Sequence, residues 1–321
     1  MDSATIAAFG GGSVAWHCEV DDAASHILKT HHPDVPNHGS VVGADWSMAE
    51  PVHLLTMGPP CQPVSAAGRQ RAEADPRWLW PDALRAIHAL RPRGVVFENV
   101  RNLISIRKGA VWRGILDDFR EAGYAVRWLT LGACTVGAPH HRHRVFALAA
   151  RVNDPGEDRR VEVRECDAVR SLLPTPTARD GMGGPGHAAS GGLNLRTTAV
   201  RLIPAPRGSD GRNGGPNQGI ASGDPALSSA VMGDRWGQFA AAVAHWEGVL
   251  GRPAPTPTEL GPRGGLRLAP ELPEWMQGLP AGYLTGHLAR ADALRLAGNG
   301  VCPKQGEAAI RALLAAFGSG S

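Results

Sequence analysis

The chain has 321 residues and a formal net charge of only +3, from 33 basic and 30 acidic side chains. That length supports a full hydrophobic core and two domains, and the mild basicity, carried mostly by arginine, allows a polyanionic partner without requiring one. The cysteines at 18, 61, 134, 166 and 302 form no CxxC pair, so neither a disulfide framework nor a zinc site is expected and a reducing interior suits the chain. No signal-peptide pattern opens the sequence and no apolar run approaches membrane-spanning length, so a soluble, cytoplasmic protein is expected.

Residues 1–9 read as the tail of a helix closed by Gly10-Gly11-Gly12, and Ser13 to Val20 as a strand. Asp22 to His31 has helical period, with Asp22 as cap and Pro33 as stop. A short strand is expected at Ser40-Val41-Val42, and the apolar run Val52 to Met57 has the character of a buried strand. Gly58-Pro59-Pro60-Cys61-Gln62-Pro63-Val64-Ser65 follows. Neither Pro59 nor Pro60 can donate to a ladder, so the strand must stop in a stiff turn. A lone cysteine at such a tip suits a presented nucleophile, and equally a buried structural thiol. A polar, arginine-bearing loop runs from Ala66 to Arg77. Then come a helix, Trp80 to Leu90, and a buried strand from Gly94 to Phe97 that delivers Glu98-Asn99. Val111 to Ala122 is the next helix, and Tyr124 to Leu131 and Val145 to Ala150 are strands. This alternation predicts an α/β fold with a doubly wound, mostly parallel sheet.

After Arg151 the composition shifts, and residues 174–265 are dense in Gly and Pro. Trp236 to Leu250 is the convincing helix there, and Trp236, Trp246 and Trp275 demand a core, so a loop-rich second domain is expected. Regular order returns at Asp292, with a closing helix from Lys304 to Ala316. The expected division is residues 1–150 plus 292–321 against residues 151–291.

Three groups stand at or near strand ends: Cys61, Glu98-Asn99 and Arg142-His143-Arg144. A thiolate attacks electron-poor carbon. A carboxyl group on a neighbouring strand can donate to a ring nitrogen, and an arginine fork can hold both that carboxyl and a carbonyl oxygen. Each also has a plain alternative: Glu98 as a cap, Arg142 and Arg144 as a solvated edge. His140, His141 and His143 have the residue type of metal ligands, but consecutive strand residues face opposite ways, so no metal is expected.

Gly58-Pro59-Pro60-Cys61-Gln62 with Ser65, then Glu98-Asn99-Val100, then His140 to Arg144, then Ala297-Gly298-Asn299-Gly300-Val301 occur in this order. The set resembles the DNA cytosine-5 methyltransferase family over about the first 150 and the last 30 residues. The resemblance implies that Cys61 attacks C6 of a flipped-out cytosine in duplex DNA and Glu98 holds N3 and the amino group. Arg144 would contact O2 and orient Glu98, with Arg142 close by. S-adenosylmethionine would be the cofactor, with Glu19 at its ribose, Val20 beside its adenine and Ser40 near the adenine amino group. Gly58, Pro60, Leu79, Asn299, Gly300 and Val301 match the rest of the cofactor pocket. Gln62, Ser65, Arg69 and Arg71 would face DNA. Residues 151–291 would read the target sequence, and Leu272 to Leu279, with Glu274-Trp275-Met276, resembles the lead-in to the family's last motif. A bacterial or phage-encoded monomer, as in restriction–modification, is the simplest expectation.

His140 stands where the arginine motif usually begins with Gln, and Ser40 where the third strand usually ends in Asp. The family's opening strand and Phe-x-Gly-x-Gly loop have no counterpart. Phe9-Gly10-Gly11-Gly12 imitates the loop but lies too close to Glu19 for the intervening helix and strand. These glycines are therefore expected to turn the chain after a helix, and an opening segment of about 10–20 residues is expected to be missing. The competing readings are a silent or impaired DNA-binding chain and a cytosine-5 methyltransferase acting on RNA.

Overall fold

The computed structural model describes residues 1–60, 75, 78–152, 158–163, 171–181, 193–202, 236–262 and 265–318. The chain divides into two compact units. One holds Met1–Val136, His143–Glu165 and Pro303–Ser321, the other Gly137–Arg142 and Cys166–Cys302.

In the first unit, α1 (Asp2–Phe9) ends on Gly10, whose φ of 77° lies in the left-handed region. The N–H groups of Gly10 and Gly11 turn back to the carbonyls of Ala7 and Ile6. That is a Schellman closure, so the glycine run serves as the expected turn after a helix. In α2 (Asp22–His31) the cap is Asp21, one residue earlier than expected, accepting from the Ala24 N–H at 3.0 Å. Two expected strands do not form. Ser13 to Val20 makes one isolated parallel bridge, His17 with Asn37, and Ser40 to Val42 is a turn in which Ser40 Oγ accepts from the Val42 N–H at 3.0 Å. Local β propensity needs a neighbouring strand to become a ladder. Among the described residues neither segment has one.

The sheet strands are β1 (Leu54–Met57), β2 (Gly94–Val100), β3 (Tyr124–Leu131), β4 (Arg144–Arg151) and β5 (Arg159–Arg160), in the spatial order β1-β2-β4-β3-β5. β1 runs parallel to β2, and β5 to β3, while β4 is antiparallel to both its neighbours. α3 (Trp80–Leu90) has a proline in its first turn and stops on left-handed Arg91, ahead of Pro92. It joins α4 (Ala110–Glu121) in covering one sheet face through Trp80, Ile87, Trp112, Ile115 and Phe119 against Val95, Phe97 and Ala147. Each large side chain buried there contributes about 1.5–3 kcal/mol. Strand alternation sends Phe146 and Leu148 away from that cluster. The last helix of the chain packs on β3 and β4, with its Ile310 and Leu313 buried. Residues from Gly94 to Asn99 are all buried, as befits a strand covered on both faces.

The second unit contains α5 (Leu195–Leu202), α6 (Ala240–Leu250), the hairpin β6 (Thr258–Leu260) and β7 (Leu266–Leu268), α7 (Glu271–Met276) and α8 (Arg290–Asn299); α9 (Pro303–Gly318) closes the first unit. Its tryptophans do find a core: Trp236, Trp246 and Trp275 are 6%, 0% and 1% exposed. Trp246 Nε1 donates to the Trp275 carbonyl at 3.0 Å. Glu274, only 2% exposed, accepts from the N–H groups of Gly282, Leu284 and Thr285 at 2.8, 2.7 and 2.9 Å. One carboxylate thus replaces a ladder for a loop that has none. Glu274→Ala should strand these donors and cost on the order of 3–5 kcal/mol. Urea unfolding should place Glu274→Gln between it and the parent. An unchanged midpoint for Glu274→Ala would contradict this role.

Candidate active site

The register of β2 and β4 builds the site. Val100 lies opposite Arg144 and Glu98 opposite Phe146. Glu98 and Val100 share a face of β2, so Arg144 is the diagonal cross-strand neighbour of Glu98. Arg144 Nε sits 3.0 Å from Glu98 Oε1, with the two side chains 15% and 10% exposed. The Arg144 guanidinium also donates to the His143 carbonyl at 3.0 Å. Gly58, at the end of β1, packs close to the same carboxylate: a Cβ there would stand 3.4 Å from Glu98 Oε2.

Asn99 does a different job. Its Nδ2 donates to the Pro59 carbonyl at 3.1 Å, and its Oδ1 accepts from the Val100 N–H at 2.9 Å. Pro59 is thereby tied to the end of β2. Cys61, Gln62, Ser65, Arg69 and Arg71 lie outside the described residues. Among the described cysteines, Cys134 is disulfide-bonded, burial pushes the Cys18 thiol pKa up and Cys302 is fully buried, so none suits a nucleophile. A carboxyl group and a guanidinium fork held this way can grip the polar edge of a planar heterocycle.

Glu19 lacks the expected strand and is held by side chains instead. Its N–H donates to Asn37 Oδ1 at 3.0 Å, and its carbonyl accepts from Asn37 Nδ2 at 3.0 Å and Ser25 Oγ at 3.1 Å. Glu19 Oε1 accepts from the Asp21 N–H at 2.8 Å. The next residue, Val20, is 68% exposed, an apolar side chain held out beside a carboxylate. Ser40 is exposed, and Leu79 is half-buried at the N-cap of α3.

Arg142, Asn299, Gly300 and Val301 belong to the second unit. The family resemblance implies Arg142 close to Arg144. Arg142 has a left-handed φ of 35°, and its buried guanidinium donates to the carbonyls of Pro176, Gly298 and Gly300. His140 is fully buried with Nε2 3.0 Å from the Met276 carbonyl oxygen. Sequence reasoning missed the Asn99–Pro59 tie and the role of Glu274. The second had a signal, an acid inside the apolar run Leu272 to Met276.

A family model described as C-5 cytosine-specific DNA methylase matches residues 4–178. The Type II methyltransferase M.HgiCII of Herpetosiphon aurantiacus is 33% identical over 140 residues, covering 43% of this chain and 32% of that protein. M.NaeI of Lentzea aerocolonigenes, also a Type II methyltransferase, is 36% identical over 137 residues, 41% of this chain and 32% of its own length. The chain thus spans about a third of the curated relatives it matches. In fold it is similar to the S. pombe Dnmt2 methyltransferase, with a TM-score of 0.54 and 16% identity over 99% of this chain and 95% of that one. The Entamoeba histolytica methyltransferase EhMeth gives a TM-score of 0.51 at 11% identity, over 98% and 95%.

Proposed function

The chain belongs to the C-5 cytosine-specific DNA methylase family, and from that premise we propose that it methylates C5 of cytosine at a specific site in duplex DNA. The observation that carries this reading is the Glu98–Arg144 pair, 3.0 Å apart, beside the end of the strand that leads to Cys61. Cys61 adds as a thiolate to C6 of a cytosine turned out of the duplex. The C5–C6 bond supplies its electron pair to the ring, and Glu98 balances the charge by donating to N3. Arg144 holds O2 and fixes the Glu98 carboxyl. Once C5 is substituted, loss of its proton to a base restores the C5=C6 double bond and expels the Cys61 thiolate, and the N3 proton returns to Glu98.

The residues present fit the nucleoside end of S-adenosylmethionine. The Glu19 carboxylate suits a ribose diol, and exposed Val20 suits an adenine face. Ser40, Gly58, Pro60, Leu79, Asn299, Gly300 and Val301 complete the proposed set. Bound there, S-adenosylmethionine supplies an electrophilic methyl group. Gln62, Ser65, Arg69 and Arg71 face DNA in this reading, and residues 151–291 choose the site. A cytoplasmic monomer acting as the modification partner in a restriction–modification pair completes the proposal. Among the described residues, no helix is long and apolar enough to cross a membrane.

One observation favours the alternative, a silent DNA-binding chain: Gly10 and Gly11 are used to cap α1. Incubation with methyl-labelled S-adenosylmethionine and duplex DNA, followed by digestion to nucleosides, separates the readings. Label should appear in 5-methylcytosine, and a chimera carrying a relative's counterpart of residues 151–291 should methylate the relative's site. Label in another nucleoside, in RNA alone, or nowhere would contradict the proposal.

A further inference from the structure

We propose that Arg142 is a positioning residue: it fixes the turn Gly298–Val301 from within the second unit and does not touch the base. The helix α8 ends at Asn299. A helix leaves its last carbonyls without partners and carries negative partial charge there. Helices commonly solve this with a left-handed glycine, but Gly300 has φ −61° and ψ 171°, so that solution is not used. A cation takes its place. The Arg142 guanidinium donates to the Gly298 carbonyl at 3.0 Å and to the Gly300 carbonyl, and to the Pro176 carbonyl at 3.3 Å. Arg142 is 3% exposed, and its own N–H donates to Thr175 Oγ1 at 3.2 Å.

Its left-handed backbone, rare and strained for a residue with a Cβ, is what such an anchored arrangement can hold in place. The second half of the clamp is Gly298. A Cβ there would stand 2.1 Å from the Thr177 carbonyl carbon and 2.2 Å from the Ala178 nitrogen. Backbone therefore lies directly on backbone, and the Thr177 side is itself rigid: its N–H donates to Asp180 Oδ2 at 2.6 Å, and the Asp180 N–H returns to the Thr177 carbonyl at 3.0 Å. Arg142 stitches both segments of the chain together. Asn299 and Gly300 are left exposed above it, while Cys302 beyond them is 0% exposed.

This inference rests on the reading that Asn299–Val301 meet S-adenosylmethionine, and its test has one arm that does not. Arg142→Ala and Arg142→Lys are compared with the parent by three measurements. These are maleimide alkylation of Cys302 resolved by peptide mass, cofactor affinity by calorimetry, and single-turnover rate at saturating cofactor and DNA. For Arg142→Ala, Cys302 alkylation should quicken and the cofactor Kd rise, each by about tenfold or more, as expected when a set of helix-end carbonyls loses its donors. The saturated rate should stay within about threefold of the parent, because uniform binding rather than transition-state stabilisation is lost. Lysine keeps the charge but not the fork and should fall between; it also answers if the alanine variant does not fold. Unchanged alkylation, or a lost saturated rate with unchanged cofactor affinity, would overturn the proposal. If the parent binds no cofactor, the functional reading fails while Cys302 alkylation still decides the clamp.

Discussion

Glu98→Gln and Arg144→Ala should each slow single-turnover methyl transfer by on the order of 10²–10³-fold, and the double variant should be little worse than the slower single. The reason is geometric. Arg144 Nε and Glu98 Oε1 are 3.0 Å apart on diagonal positions of paired strands, and both side chains are largely withdrawn from water. Each fixes the other against the same proposed base, so the first removal already spoils what the second would remove. Glutamine keeps the shape of Glu98 but cannot pair as an anion or give a carboxyl proton to N3. Breaking a buried pair also destabilises the fold, so rates must be taken on folded protein, checked by thermal unfolding. Losses that simply multiply would place one of the two outside the site.

A still larger effect is expected at Cys61. Cys61→Ser should lower turnover by on the order of 10⁴-fold or more while leaving DNA affinity near that of the parent. A serine hydroxyl is not ionised near neutral pH, whereas a thiol is easily activated by neighbouring positive charge. The change is a single atom, so packing and strand-end geometry should survive it. Retained turnover would remove Cys61 from the reaction, whatever the family resemblance implies.

Much of the first unit was legible in the sequence because its elements are written in local patterns. Trp80–Leu90, Asp22–His31 and Tyr124–Leu131 have the expected limits, and the helix-ending use of Gly10 follows from its spacing to Glu19. The two failures, Ser13 to Val20 and Ser40 to Val42, depend on partners. A strand is a property of a pair, and β propensity alone does not supply the neighbour. In the site, the nearness of Glu98 and Arg144 could be anticipated from strand ends, but the diagonal required the register, which no local pattern encodes. The left-handed φ of 35° at Arg142 is likewise absent from any local pattern, and the resemblance alone sets Arg142 near Arg144. Gly298 sits within the quoted motif, yet its need for glycine comes from Thr177 and Ala178, more than a hundred residues earlier in the chain.

The central claim is that a thiolate at Cys61 attacks a cytosine held by Glu98 and Arg144. Duplex DNA with 5-fluorocytosine at the target position tests it most directly, because fluorine does not leave C5 as a proton does and the adduct is caught. With S-adenosylmethionine present, the account predicts a complex that survives denaturation and whose cross-linked peptide carries the nucleotide on Cys61. Methylation of ordinary target DNA with no trapped complex on the fluorinated site, or a cross-link on another residue, would contradict it.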